Sequence, residues 1–245
     1  MVRKYYRLLC CLVLLVFSMA FAQDKNPTQE LVSDLLAAKI ESERSQLLNQ
    51  QKNLVTAELR KGLIARGDQL RIQSDFPGAM TAFDLAKQVA EQIQDKPGIA
   101  EALINIGLIN RIQGDIDLAL INTQKSLAIA EESGEKPLIA RSLVYIGIFY
   151  RFQGDNDQAL KFTNKALEYA DHLSPKELAL AWNNIGSAYL QQGNFSKALA
   201  YLEKGLQIRE KLGDKDAIAG SLNNLRWLTI IREVLPKLSI TTNAV

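Results

Sequence analysis

Three arginines stand at one repeated offset: Arg71, Arg111 and Arg151, each 40 residues from the next and each followed by an apolar residue, Ile72, Ile112 and Phe152. A guanidinium presents a planar fork of donors that matches a carboxylate in two parallel hydrogen bonds. Stacked at a constant interval, these residues would form a basic ladder beside an apolar one, suited to an extended acidic segment or a C-terminal carboxylate. The other reading is local, with each arginine paired to a nearby acid such as Asp75, Asp115 or Asp155. Asparagines recur as well. Asn183-Asn184 and Asn223-Asn224 share an offset, and Asn105 matches the second member. An amide side chain both donates and accepts, so it can hold a peptide backbone or tie two helices together.

Catalytic chemistry has little to draw on. The chain has one histidine, His172, and two cysteines, Cys10 and Cys11. No phosphate-binding glycine loop, nucleophile elbow or metal-ligand cluster is present in the sequence. A nucleophile and its base are therefore hard to assemble, and the expected function is non-enzymatic, with no cofactor and no metal.

The cysteines lie in an N-terminal segment of its own kind. Arg3, Lys4 and Arg7 precede an uninterrupted apolar run, Leu8 to Phe17, and then Ala20-Phe21-Ala22. A basic start, a short apolar stretch and an A-x-A site predict an export signal cleaved after Ala22. The run is shorter than the roughly twenty residues that span a bilayer. The protein is accordingly expected in the periplasm or secreted, and free of the membrane after cleavage. Without residues 1–22 it keeps 26 Lys and Arg against 27 Asp and Glu, a net charge of −1. That balance offers no electrostatic case for nucleic acid.

The elements that position the ladder are helices. Apolar residues make up 47% of the chain, and Ala, Leu, Gln, Glu and Lys, all good helix formers, dominate it. Leu103, Ile106, Gly107 and Asn110 follow helical spacing. Gly114-Asp115, Gly154-Asp155, Gly193-Asn194 and Ser74-Asp75 then mark a helix end followed by a cap. Gly107, Gly147 and Gly186 lie 40 and 39 residues apart, and Ala79, Ala119, Ala159 and Ala198 recur opposite them. These small residues predict close helix pairs repeating along the chain.

This pattern resembles the tetratricopeptide repeat. The family's positions map to Trp182, Ile185-Gly186, Tyr189, Ala198, Leu202 and Gly205 in one unit. In the preceding unit they map to Leu143, Ile146-Gly147, Tyr150, Ala159, Thr163 and Ala166. The period of 40 rather than 34 is similar to the longer-helix arrays of kinesin light chain and bacterial sensor proteins. The resemblance implies an all-α fold, a right-handed α-solenoid of antiparallel helix pairs. Its concave groove would bind a protein or peptide.

The expected organisation is N-terminal capping helices at 23–55, a divergent unit at 56–98, and units at 99–139, 140–178 and 179–218. A terminal half unit at 219–235 and a patternless tail at 236–245 follow. Arg66 and Arg226 replace an apolar residue and a glycine, which marks the end units as atypical. Partner contacts are expected from Arg71, Arg111, Arg151, Ile112, Phe152, Asn105, Asn183, Asn223 and Trp227. Trp227 and its apolar neighbours at the open end would suit a homodimer contact. The competing reading is the sensory portion of a larger enzyme, such as a CHAT-type protease or a signalling protein.

Overall fold

The computed structural model describes residues 26–242, with side chains placed through Ile230. The expected signal segment, residues 1–22, lies outside the described residues.

Eleven α-helices follow one another among the described residues: α1 (Pro27–Ala37), α2 (Glu41–Gln50), α3 (Ala57–Ile72), α4 (Phe76–Gln92), α5 (Lys96–Gln113), α6 (Ile116–Ser133), α7 (Lys136–Gln153), α8 (Asn156–Leu167), α9 (Pro175–Gln191), α10 (Phe195–Leu212) and α11 (Lys215–Thr242). From α3 onward they pair as α3/α4, α5/α6, α7/α8 and α9/α10, with α11 opening a further unit. Successive first helices also pack along one another, more closely than successive second helices do. That asymmetry curves the array into a solenoid with the first helices on its concave side.

Local chemistry sets the helix boundaries. Asp75, Asp95, Asp155 and Asn194 each accept a hydrogen bond from a backbone N–H three residues on, at 2.9 to 3.2 Å. Asp115 occupies the same position before α6 but makes no side-chain cap bond. Ser174 and Glu177 form a capping box at the start of α9: the Glu177 N–H donates to Ser174 Oγ at 3.3 Å, and the Ser174 N–H donates to Glu177 Oε2 at 2.9 Å. Ser174→Ala is expected to lower stability by about 1 kcal/mol, read as a shift in the urea midpoint. Pro97 and Pro137 sit in the first turns of α5 and α7, where a missing N–H breaks no helical bond.

The tight helix pairs follow from glycine. A side chain on Gly107 would meet Thr123 Oγ1 at 2.7 Å, and one on Gly186 would meet Leu202 Cγ at 2.7 Å. Ala79, Ala119, Ala159 and Ala198, on the facing helices, are fully buried. The first unit, divergent in sequence, is still a complete pair, with Leu59, Leu63 and Phe83 fully buried. Its inter-helix turn lacks the glycine found later, and Ser74 takes a left-handed φ of 63° in its place.

The N-terminal end is helical, and the C-terminal end departs from the sequence expectation. The stretch from Thr28 to Gln51 divides into two helices, because Arg44 donates to the Ala38 carbonyl at 3.0 Å and to the Leu35 carbonyl at 3.3 Å, closing α1. Leu31 and Leu35 are buried in the core of the first unit, whereas Ile40, between the two helices, is 57% exposed. At the other end, Leu228 is buried with Ala198 and Leu202, and Leu225 packs beside them, so α10 covers this face of α11. The backbone of α11 continues through Thr242, past Pro236, where the sequence pointed to a patternless tail. A proline inside a helix forfeits one ladder hydrogen bond, and the remaining bonds carry the helix on.

Candidate functional site: the concave groove

The first helices α3, α5, α7 and α9 line a groove of about 470 Å³. Leu108, Ile148, Leu180 and Tyr145 give it an apolar surface, and Arg71, Arg111, Arg141, Arg151 and Lys176 give it positive charge, with Asp68 and Glu177 as the acids present. The offset that repeats in sequence therefore places the three ladder arginines in one cavity.

Their states differ. Arg71 is held by Asp68, with Nη2 2.9 Å from Oδ1, so its partner lies one turn back on α3 and not at Asp75. Arg151 donates from Nε to Asn184 Oδ1 at 2.7 Å, and the Asn184 amide donates onward to Thr163 Oγ1 at 2.8 Å. Arg111 and Arg151 both sit over the Phe152 ring, with their guanidinium carbons 5.2 and 4.7 Å from its centroid. Neither makes an ion pair with a carboxylate among the described residues, whereas Arg141 reaches Glu177 at 3.2 Å and Glu101 at 4.0 Å. Burial lowers the Arg111 pKa first; Tyr145 opposes that shift and Arg71 adds to it. Burial also lowers that of Arg151, with the charge of Arg111 second. Arginine remains charged at neutral pH regardless, so two like charges face each other here without a counterion from the protein. Burial raises the Tyr145 hydroxyl above its ordinary range, with Arg141 pulling the other way, so it remains a neutral donor.

Of the residues expected from the sequence, Arg71, Arg111, Arg151, Phe152, Asn105 and Asn183 line the groove. Ile112 does not, since it packs against the core of the first units, and Ile72 is 76% exposed outside it. The apolar ladder beside the arginines is thus a single ring, Phe152, which is 48% exposed. Asn223 is exposed on α11 and Trp227 is 58% exposed there, both outside the groove lining. Asn224 instead donates to Asn183 Oδ1 at 3.4 Å, a tie between α11 and α9. Asn184 likewise serves packing as well as the groove.

The sequence reading missed Arg141, Tyr145 and Glu177. Two signals were available: Glu101 and Arg141 hold one offset with opposite charge, and Tyr145 occupies the offset of Asn105 in the next unit.

Among the described residues, no cluster of His, Cys, Asp and Glu could hold a metal ion, and no helix is long and apolar enough to cross a membrane.

The tetratricopeptide-repeat profile matches residues 98–172 and again residues 179–212. No curated protein matches the chain in sequence. Among solved structures, BtubC (BKLC) from P. vanneervenii aligns over 80% of this chain and 86% of its own, at 16% identity and a TM-score of 0.54. A Rap protein complexed with Competence and Sporulation Factor aligns over 82% of this chain and 56% of its own, at 19% identity and a TM-score of 0.60. The apo form of RapI aligns over 74% and 68%, at 20% identity and a TM-score of 0.58. At these identities the likeness is one of fold, and this chain spans little more than half of the Rap protein. Repeat by repeat, the sequence pattern and the helix pairing agree, and the chain is a tetratricopeptide-repeat protein.

Proposed function

We propose that this protein is a non-catalytic interaction scaffold whose concave groove binds an acidic or carboxylate-bearing segment of a partner protein. The observation that carries the reading is the pair Arg111 and Arg151, two partly buried guanidiniums without a carboxylate partner among the described residues, set over the half-exposed ring of Phe152. Uncompensated buried charge is unfavourable, and an anionic segment entering the groove would relieve it. Asn105 and Asn183 line the same groove, and an amide can hydrogen-bond a peptide backbone.

Affinity on the order of micromolar, roughly −8 kcal/mol, fits a groove of this kind. Export follows from the N-terminal signal, with cleavage after Ala22 placing the scaffold in the periplasm or outside the cell.

Affinity capture from periplasmic extract with wild-type protein and with Arg111→Glu/Arg151→Glu tests the groove. Reversing both charges is expected to weaken partner capture by about a hundredfold, since hydrogen bonds to charged groups contribute roughly 1.5–3 kcal/mol each. The same captured proteins at the same yield from both forms would sink the reading.

A further inference from the structure

The anion-binding node of the groove has more donors than one carboxylate can use. Arg151 spends its Nε on Asn184, which leaves its terminal amino groups for a ligand, and Arg111 makes no ion pair among the described residues. A third donor belongs to the same cavity. Asn105 lines the same groove, is only 1% exposed, and its Nδ2 has no hydrogen-bond partner among the described residues. A buried amide donor left unpaired is unfavourable in a native structure. Its counterpart two layers along, Asn184, shows what a satisfied asparagine looks like at this offset, with Oδ1 taken by Arg151 and Nδ2 donating to Thr163. Asn105 Nδ2 lacks the matching acceptor because Phe83, which faces Gly67 as Thr163 faces Gly147, has no hydroxyl to offer.

A carboxylate brings one negative charge and two oxygens. One guanidinium fork satisfies it, and the second guanidinium and the Asn105 amide would stay unpaired. A phosphomonoester brings a charge of about −1.5 to −2 and three terminal acceptor oxygens. That count matches two guanidiniums and one amide donor. The geometry points to a phosphoryl-binding site formed by Arg111, Arg151 and Asn105, with Phe152 as the apolar surface beneath the group that carries the phosphate. This inference rests on the reading of the groove as the partner site and specifies the anion it prefers.

The matched probes phenyl phosphate and benzoate test it without knowledge of any partner sequence. Binding to the purified protein is followed through the side-chain ¹⁵N signals of the arginine Nε and asparagine Nδ2 groups. At pH 7.5 phenyl phosphate is expected to bind at least about tenfold more tightly than benzoate and to move the Arg111, Arg151 and Asn105 signals together; one such charge-assisted bond is enough for that ratio. Toward pH 5 the advantage should shrink, because the second phosphate proton binds with a pKa of about 6. Arg111→Gln and Arg151→Gln should each bring the two probes close to equal affinity. Lys87→Gln, on the outer face of α4, should leave the ratio unchanged and controls for general charge.

Inorganic phosphate is the third arm. Tighter binding of phenyl phosphate assigns an ester as the ligand, and tighter binding of inorganic phosphate assigns the free ion; either supports the site. Benzoate binding as tightly as phenyl phosphate would overturn the phosphoryl assignment, and if partner capture still depended on Arg111 and Arg151 the groove reading would stand. Neither probe moving these signals, with capture unchanged in the double variant, would remove both.

Discussion

Gly147→Leu is expected to destabilise the protein by about 3 kcal/mol, and Gly147→Ala by roughly 1–2 kcal/mol, although alanine is the better helix former by about 1 kcal/mol. A Cβ at Gly147 would land on Thr163 Oγ1, with the Ala159 carbonyl at 3.0 Å and the Thr163 backbone nitrogen at 3.1 Å. Two of these obstacles are backbone atoms of α8 that cannot swing aside, so α7 and α8 must separate. Overpacking against a rigid neighbour generally outweighs a gain in propensity. The effect also reaches the groove. Thr163 is fully buried, its hydroxyl donates to the Ala159 carbonyl at 2.7 Å, and it accepts the Asn184 amide, which in turn orients Arg151. Moving Thr163 therefore loosens the hold on Arg151 in the groove.

Gly220 provides the contrast. It lies within α11 and a Cβ there would meet nothing within 4 Å, so Gly220→Ala should stabilise by roughly 0.5–1 kcal/mol. Urea denaturation compares the variants, and amide exchange locates the change, since repeat arrays open in parts. Gly147→Ala as stable as wild type would contradict the close approach of α7 and α8.

Arg60→Met is expected to lower stability by about 2 kcal/mol. Arg60 is 6% exposed, with Nε 2.8 Å from Asp95 Oδ2 and Nη1 2.6 Å from Glu101 Oε2, and so ties α3 to the start of α5. Asp95 also caps α5 through the Gly98 N–H at 2.9 Å. Methionine keeps most of the apolar stem but leaves two carboxylates near each other. Breaking a fully buried pair typically costs 3–5 kcal/mol. The acids here are 21% and 32% exposed, so water can partly solvate them and the loss falls below that range. Arg60→Lys should recover only part of the loss, because an ammonium cannot present a planar fork to two acids at once. Urea midpoints for the three proteins decide the matter: equal midpoints for Arg60→Met and wild type would show that the pair contributes nothing net.

The repeated helix pairs were legible because their causes are local and recur. Apolar spacing buries one stripe, a glycine and an alanine let two helices approach, and a capping residue restarts the chain. The groove was legible to the extent that a shared offset means a shared face, which holds for Arg71, Arg111 and Arg151 and for Asn105 and Asn184. Offset failed where surroundings differ between layers. Ile72, Ile112 and Phe152 share one offset, yet they end exposed, packed on the core and on the groove wall. At the ends, Ile40 is exposed and Leu228 buried, because burial there depends on how Arg44 closes α1 and how α11 settles on α10.

By itself, then, the amino-acid sequence determined an all-α array with a period of about 40 residues and a face on which the arginines recur. Those properties depend on contacts within one or two turns and between neighbouring helices. Only the tertiary structure decided which of those arginines are neutralised. Asp68 takes Arg71, Glu101 and Glu177 take Arg141, and Arg111 and Arg151 are left facing the groove over one ring. Ion pairing is settled over a few ångströms between side chains on different helices, and the curvature of the stacked repeats sets those distances.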